Sequence, residues 1–304
     1  MRVPSLTEAA ISWRLATKAY PGPPRPSRLL KRAARAWLAA WQPEAFASWR
    51  ALLEQPALAG VVNQYPRIWF KVLNPYLSCR FDGARRLAIL RDTYRLLIAR
   101  SPRFTDGRAW RLATLPLGEL GEAGVEIAPD QRFEHEGEVV VRLVVPKLGG
   151  TAVSASLSLL ETTPGTWTAY IGAIQTDIGL GEEGVKTLHK AMHGLRPKSV
   201  GVLLAQEVAR NLGASRLLGV GNRIHVHRTK RLIHIDWLHR MTFDYDALWQ
   251  EHDGKPAEDG WHELPLRLER RTRDEIKPNK RSLYAKRYAM LDDLEAQVAR
   301  SLAA

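Results

Sequence analysis

The residues best suited to chemistry lie between positions 189 and 228. Arg196 and Lys198 flank a proline where an amphipathic helix over 199–213 is predicted to begin, and Ser199 stands in its first turn. The N-terminus of a helix presents unpaired backbone amides and the positive end of the helix dipole, so cations placed there favour an anionic ligand. Arg196 and Lys198, with Ser199 beside them, are therefore predicted to bind a phosphate group. The alternative interpretation is an ordinary helix start whose charges face solvent.

A second candidate group follows the strand predicted over 215–222. That strand ends in Gly-Val-Gly-Asn, and glycines let a ligand approach the backbone closely. Ligands of open α/β sheets bind beyond strand ends, where Asn222 would donate a hydrogen bond to a carbonyl or phosphate. His225 has the side-chain type that titrates near neutral pH. Asn222 is thus a candidate to bind a ligand and His225 one of several candidate acid–base histidines, although a simple turn explains the Gly-Val-Gly-Asn sequence equally well.

Four histidines form two closely spaced pairs, His189 with His193 and His225 with His227. Zinc would need further ligands at a characteristic spacing, and no HExxH motif or suitably placed carboxylate accompanies them, so no metal site is predicted. The single cysteine, Cys79, excludes an internal disulfide and a thiolate-rich metal site. The chain has no P-loop, G-x-S-x-G or G-x-G-x-x-G motif, which disfavours P-loop nucleotide binding, serine hydrolysis and dinucleotide binding.

The composition is that of a globular protein with a strong positive charge. Hydrophobic residues make up 45% of the chain and charged residues 25%, which is enough apolar material for an ordinary core. The net charge of +13 favours anionic partners such as nucleic acid, an acidic lipid surface or a phosphorylated ligand. A generally basic proteome would explain the same excess. With no apolar window of 18 residues and no secretory signal pattern, a cytoplasmic location is expected, with a peripheral position at the inner membrane left open.

Helical and strand patterns occupy different parts of the chain. Apolar residues recur at helical spacing in the first hundred residues and again near the C-terminus, whereas β-rich runs separated by turn residues fill the middle. The predicted helices are 27–41, 43–54, 56–63, 67–73, 82–100, 199–213, 244–252 and 281–304. The predicted strands are 109–115, 138–146, 152–161, 166–176, 215–222 and 261–268.

These elements predict an α+β fold with a helical N-terminal part, a central and mostly antiparallel sheet with packed helices, and a C-terminal helix. Residues 1–26 are weakly patterned and are predicted to be a flexible N-terminal segment, which ends in a stiff, extended linker made by the prolines of 21–26. A helical region over 27–105 and an α+β domain over 106–304 follow. One continuous domain over 27–304 is the alternative.

Four ordered blocks of the sequence resemble the VirK/YbjX family of Gram-negative bacteria. They are 191-AMHGLRPK-198, 219-GVGNRIHVHR-228, 245-YDALWQEHDG-254 and 279-NKRSLYAKRYAMLD-292. The resemblance covers about residues 65–300. It implies an association with virulence and with envelope or antimicrobial-peptide stress. It supplies no catalytic residues, because the biochemical activity of that family is not established.

The predicted order of strands and helices also resembles the core of GNAT-type acyltransferases. In those enzymes the loop that leads into the central helix holds the pyrophosphate of an acyl-CoA. That likeness implies acyl-CoA as the cofactor, with its diphosphate held by Arg196, Lys198 and Ser199. It also implies Asn222 and His225 as the catalytic residues, which would position or deprotonate an amine acceptor. The chain lacks the glycine-rich signature of those enzymes and has about twenty residues between strand and helix. The competing hypothesis is a non-enzymatic basic protein that binds anionic lipid or nucleic acid.

Overall fold

The computed structural model describes residues 4–176, 179, 181–228 and 243–303. Its N-terminal part is helical, as predicted. The helices are α1 (Leu6–Ala19), α2 (Pro26–Trp41), α3 (Pro43–Leu53), α4 (Ala59–Gln64) and α5 (Gly83–Arg100). Short 3₁₀ turns link α3, α4 and α5, among them Pro66–Leu73, where a helix was expected. The longest of these helices, α5, starts at the expected cap, because the Asp82 carboxylate accepts a hydrogen bond from the Arg85 amide at 2.7 Å.

The first helix lies in a segment that the sequence predicted to be flexible. Ser5 caps α1 by accepting a hydrogen bond from the Glu8 amide, and Ser12, Ala16 and Ala19 are buried. The Ser5 amide in turn donates to the Ala40 carbonyl at 3.0 Å, so α1 packs against the end of α2. Small residues make this face, which is why the apolar periodicity of α1 is weak in the sequence.

The centre of the protein is one eight-stranded sheet. Its strands are β1 (Trp110–Pro116), β2 (Glu122–Ile127), β3 (Val139–Val145), β4 (Gly150–Thr163), β5 (Thr166–Thr176), β6 (Ala214–Val220), β7 (Lys255–Pro256) and β8 (Trp261–Leu264). They lie in the order β1-β2-β3-β4-β5-β6-β8-β7. Neighbouring strands are antiparallel except β5 and β6, which run parallel. The α+β fold class and the mostly antiparallel sheet are confirmed.

Helices cover both faces of this sheet. The C-terminal helices are α6 (Gly181–Ala191), α7 (Pro197–Asn211), α8 (Tyr245–Glu251) and α9 (Arg281–Ala303). Gly201 of α7 packs against Val153 of β4, whereas Ser158, on the opposite side of the same strand, bonds the Tyr76 hydroxyl at 2.6 Å. The N-terminal helical region therefore covers one face and α7 the other, with a shared core that includes residues from Ala16 to Leu302. Whether this is one domain or two stays a prediction.

The parallel strands β5 and β6 separate before β5 ends. Their last paired residues are Ile171 and Gly219, and from there to Thr176 the described strand that pairs with β5 is β4. At the point of separation Gly172 forms a β-bulge, because Ser156 pairs with Ala173 while the next residue of β4 pairs with Ile171. The bulge and the separation open the sheet between the end of β5 and the residues after β6.

Among the described residues, no helix is long and apolar enough to cross a membrane.

The bulge leads to a prediction about Gly172. A Cβ on this residue would lie 1.9 Å from the carbonyl oxygen of Glu136, which belongs to the main chain, and 2.8 Å from Cδ2 of Leu77. We expect Gly172→Ala to lower the free energy of unfolding by about 3 kcal/mol or more. The measurement is urea unfolding at neutral pH.

The matched control is Gly124→Ala, in strand β2. A Cβ at Gly124 would meet only the guanidinium of Arg111, the movable end of a long side chain. We expect Gly124→Ala to lower the free energy of unfolding by less than about 1 kcal/mol. If both variants lose the same amount of unfolding free energy, the close approach at Gly172 is not what makes its substitution destabilising.

Candidate functional site

A groove of about 580 Å³ opens where β5 ends and α7 begins. Three elements besides β5 form its walls: α6, the first turn of α7, and α8. Its lining residues are Thr176, Val185, Lys186, His189, Arg196, Pro197, Lys198, Ser199, Phe243, Asp244, Ala247, Leu248 and Glu251. All three residues predicted to bind a phosphate are therefore in one groove, whereas Asn222 and His225 are not among its lining residues.

Lys198 is the most perturbed cation of the groove. Its Nζ lies 2.9 Å from the centroid of the Phe243 ring, a cation–π contact. Burial lowers the pKa of Lys198 from its ordinary value of 10.5 to about 8, because a partly desolvated ammonium loses hydration. The surroundings of Lys198 thus stabilise its positive charge only weakly. An anion bound in the groove would stabilise that charge.

Arg196 and Ser199 stand on either side of Lys198 in the chain. Arg196 is exposed and its guanidinium lies 3.4 Å from the Glu251 carboxylate, a solvent-screened pair that a ligand can displace at small cost. The Ser199 hydroxyl lies 3.2 Å from Nε2 of His252. The first intrahelical hydrogen bond of α7 runs from the Val200 amide to the Arg196 carbonyl, so the amides of Lys198 and Ser199 are those of the open first turn.

Asn222 organises the start of α8. Its Nδ2 donates to the Asp244 carboxylate at 2.6 Å, and its Oδ1 accepts from the Tyr245 amide at 2.8 Å. Its own amide donates to the Asp246 carboxylate at 2.9 Å. These bonds tie the residue after β6 to the helix whose Asp244, Ala247 and Leu248 line the groove. In this structure Asn222 fixes the position of a groove wall; its catalytic role stays a prediction.

His225 lies buried on the other side of β5. Its ring stacks on Tyr245 at 5.2 Å between centroids, and its Nδ1 lies 3.3 Å from the His227 amide. Burial, with the neighbouring His227 as a second cause, lowers the pKa of His225 from 6.5 to about 3. The ring is therefore neutral at physiological pH, and a neutral imidazole with so low a pKa is a weak base.

The carboxylate of Glu136 faces both histidines. Its Oε1 lies 3.1 Å from Nε2 of His227, 3.8 Å from Nε2 of His225 and 3.4 Å from Nε2 of Gln175. The Glu136 side chain is 1% exposed, and among the described residues its Oε2 has no hydrogen-bond partner. A buried carboxylate oxygen without a partner is costly, which marks this cluster as a place where a further polar group would be favoured.

The sequence offered no local signal for Glu136. It lies in 134-EHEGE-138, where Glu138 is equally buried but forms an ion pair with Lys71 at 2.6 Å and accepts from the Tyr94 hydroxyl at 2.7 Å. Nothing in this run distinguishes the two carboxylates. The partners of Glu136 are 39 and 91 residues away in the chain, so only the folded sheet brings them together.

The groove and the Glu136 cluster lie on opposite sides of the end of β5. Thr176 lines the groove, whereas the adjacent Gln175 bonds Glu136, as the alternation of a strand requires. Between them stands Tyr245, whose hydroxyl accepts from the Ile174 amide at 3.3 Å. A row of rings connects the two sides: His225 stacks on Tyr245, the edge of Phe243 meets Tyr245 at 5.0 Å, and Lys198 lies over Phe243.

Comparison with known proteins gives a family match over nearly the whole described chain. The family described as "Protein of unknown function (DUF535)" matches residues 25–300. The chain belongs to the DUF535 family. The uncharacterised protein YbjX of Escherichia coli K12 is a relative, 27% identical over 251 residues, which are 80% of this chain and 74% of YbjX. The resemblance to VirK/YbjX is therefore confirmed.

Two further relatives are uncharacterised proteins of Haemophilus influenzae. One is 42% identical over 113 residues, which are 37% of this DUF535 chain and 36% of the relative. The other is 32% identical over 117 residues, 38% of either chain. No solved structure matches the chain with significance.

The low pKa of His225 predicts acid sensitivity. In the unfolded chain this histidine takes up a proton near pH 6.5, but in the folded protein only near pH 3. Stability is therefore lost as the pH falls from about 6.5 towards 3, by on the order of 4 kcal/mol from this group. We expect His225→Asn, which keeps an acceptor for the His227 amide, to flatten the dependence of unfolding free energy on pH in this range.

Urea unfolding at intervals between about pH 7 and pH 4 measures that slope. His189→Asn, at an exposed histidine of the groove, is the control and should keep the slope of the unmodified protein. If His225→Asn keeps it too, the burial of the His225 ring does not determine acid stability.

Proposed function

We propose that this DUF535 protein is an acyl-CoA-dependent acyltransferase with a GNAT-like core. The observation that carries the proposal is the groove at the open end of the β5/β6 pair, with Lys198 and Arg196 at the start of α7. A diphosphate at this position would meet two cations and the open first turn of a helix. Its charge would also supply the desolvated Lys198 with an anionic partner, which no residue in the described part of the chain provides.

The sheet topology supports the same proposal. The likeness to GNAT-type acyltransferases rested on antiparallel strands, a central helix, a strand, a helix and a final strand. The structure has this order in β3, β4, β5, α7, β6, α8 and β8. The separation of β5 from β6 adds a gap in the sheet, beside which the pantetheine arm of CoA would lie, with the Tyr245 hydroxyl already accepting from the Ile174 amide there.

Two departures from the GNAT pattern shape how a nucleotide would be held. The connector between β5 and α7 is long because it contains α6, which forms a wall of the groove. The start of α7 has no glycine-rich loop, and Pro197 contributes no amide proton. Side-chain charge therefore carries more of the phosphate binding here, through Arg196 and Lys198, than backbone amides do.

The Glu136 cluster is suited to act on the acyl acceptor. During transfer an acceptor amine or hydroxyl attacks the thioester carbonyl, a C–N or C–O bond forms, the C–S bond breaks and the thiolate is protonated. The acceptor loses a proton in this step, and a histidine held by a carboxylate is a good base. His227, 31% exposed and bonded to Glu136, fits this role better than the buried His225, which together with Asn222 would position the site.

The other attributes of the proposal rest on the sequence and on resemblance. A cytoplasmic location and the association with virulence and with antimicrobial-peptide stress come from the sequence and from the VirK/YbjX likeness. The alternative function is a non-enzymatic basic protein that binds anionic lipid or nucleic acid, favoured by the net charge of +13. The binding of acyl-CoA in the groove separates the two.

We expect acetyl-CoA to raise the melting temperature and pantetheine, which lacks phosphates, to leave it nearly unchanged. The double variant Arg196→Ala/Lys198→Ala should weaken acetyl-CoA binding by about tenfold or more, because both cations face the diphosphate. Calorimetric titration gives the dissociation constants. Arg108→Ala/Lys255→Ala removes the same charge from exposed positions outside the groove and is the matched control.

Absence of binding by the unmodified protein would contradict the acyltransferase proposal. Equal weakening in both double variants would instead mean that CoA binds through overall charge, as the non-enzymatic alternative requires.

The pKa of Lys198 predicts how binding depends on pH. The ammonium deprotonates near pH 8 in the free protein, so acetyl-CoA affinity should fall as the pH rises from about 7 to 9, a range in which the phosphates stay ionised. Lys198→Arg keeps the charge throughout and should flatten this dependence. Titrations of both proteins across the range provide the comparison, and a persistent slope in Lys198→Arg would assign the titration to another group.

A further inference from the structure

The α1–α2 hairpin carries most of the exposed apolar bulk of the described chain. Among the described residues, eight large hydrophobic side chains are exposed, and six of these are on α1 and α2. We name this set the hairpin surface: Leu6 at 82% exposure, Trp13 at 39%, Leu29 at 38%, Leu30 at 60%, Trp37 at 63% and Trp41 at 41%. Solvent-exposed tryptophans at such density need a partner, because a monomeric protein rarely leaves an extended apolar patch uncovered.

The spacing of these residues makes continuous stripes. On α2, Leu30, Trp37 and Trp41 are separated by seven and four residues, with the exposed Ala34 between them. The Trp37 and Trp41 rings lie 5.4 Å apart. On α1, Leu6, Ala10 and Trp13 are exposed at the same helical spacing. These side chains point away from the core, whereas the opposite faces of both helices are packed.

Cations surround this apolar surface. Residues 4–41 contain seven arginines and lysines and a single carboxylate, Glu8, which already pairs with Arg50 at 3.3 Å. Two of the cations have structural roles: Arg32 is buried and donates to the Tyr20 carbonyl, and Arg35 bonds Asn74. The remaining cations on the hairpin are Arg14, Lys18, Arg25, Arg28 and Lys31.

We propose that the hairpin surface binds an anionic phospholipid bilayer, with Trp37, Trp41 and Leu30 inserted at the headgroup level. An apolar stripe with tryptophans beside a cationic, carboxylate-poor face is what an interfacial helix requires. The charges select the anionic leaflet, since each nearby Lys or Arg adds on the order of 1 kcal/mol of attraction. The insertion is shallow and parallel to the membrane surface, because the inner face of α2 is already packed. That face contacts α1, and its Arg35 lies over the Phe70 ring.

A protein or nucleic acid partner fits these observations less well. Nucleic acid would use the cations and the tryptophan rings, but it would leave the exposed Leu6, Leu29 and Leu30 side chains in water, because stacking on bases does not cover aliphatic groups. A second copy of the chain would place the cations of two hairpins against each other, a like-charge contact that costs free energy. Only a partner that is both anionic and apolar over a flat area satisfies the whole surface.

The test is co-sedimentation of the full chain with vesicles. Vesicles of phosphatidylglycerol and phosphatidylethanolamine should bind the protein, and pure phosphatidylcholine vesicles should bind it at least about tenfold more weakly. Raising the ionic strength from about 0.05 M to 0.5 M should weaken but not abolish binding, because the apolar part persists. Trp37→Ser/Trp41→Ser should weaken it by about tenfold or more.

Matched controls make each part of this result specific. Leu283→Ser replaces an exposed leucine of α9 outside the hairpin surface and should bind as the unmodified protein does. For charge, Arg25→Glu/Lys31→Glu should lose binding more than Lys277→Glu/Lys280→Glu, which makes the same change on the exposed C-terminal segment. Thermal unfolding of every variant confirms that these exposed substitutions leave the fold intact.

Three results would overturn the proposal. The first is full vesicle binding by Trp37→Ser/Trp41→Ser. The second is a dimer in light scattering that this variant dissociates, which would make a second copy the occupant. The third is tight binding of single-stranded RNA that depends on Trp37 and Trp41, together with no binding to vesicles. Acetyl-CoA binding in the groove is expected to be unchanged in the tryptophan variant, so this test is independent of the acyltransferase proposal.

Discussion

The site depends on one close approach of two main chains. The segment around Glu136 lies directly on Gly172 of β5, where any side chain would overlap the Glu136 carbonyl. The same residue forms the bulge at which β5 leaves β6. The absence of a side chain at Gly172 therefore lets the buried Glu136 carboxylate lie next to β5, at the point where the sheet opens. The groove on one side and the Glu136 cluster on the other both follow from this contact.

Burial shifts pKa values in the same direction on both sides of β5, in the groove and next to the Glu136 cluster. Desolvation lowers the pKa of Lys198 in the groove and the pKa of His225 behind it, because both positions penalise a positive charge. The Tyr245 and Phe243 rings that separate the two side chains supply the apolar surroundings. The chain has a net charge of +13, and burial at these two positions disfavours a further positive charge. A ligand with negative charge reverses that balance in the groove.

The groove and the hairpin surface recognise anions by different physics. The groove is concave and places few charges close together, as a small phosphorylated ligand requires. The hairpin surface combines dispersed cations with exposed indole rings, as an extended surface requires. The excess of arginine and lysine, read from composition as a single preference for polyanions, is thus divided between two proposed partners.

The sequence by itself determined the elements that have a strong local signal. The helices α2, α3, α5 and α9 and the long strands β4 and β5 were predicted within a few residues, because each repeats its apolar residues at a single period. The likeness to VirK/YbjX likewise needed only short ordered blocks. Elements with small or mixed residues were missed: α1, α6 and β2, whose Glu-Ala-Gly-Val-Glu-Ile gives neither period clearly.

Only the tertiary structure decided which residues share a site. Arg196, Lys198 and Ser199 could be grouped from the sequence because one helix start holds all three. Glu136 could not, since its contacts with Gln175 and His227 join distant parts of the chain through the pairing of β5. The same folding separated His225 from the groove, because this histidine lies in the turn after β6 and its ring is held against Tyr245 rather than facing α6 and α7. Local periodicity specifies an element, but strand pairing across the sheet specifies the neighbours of a side chain.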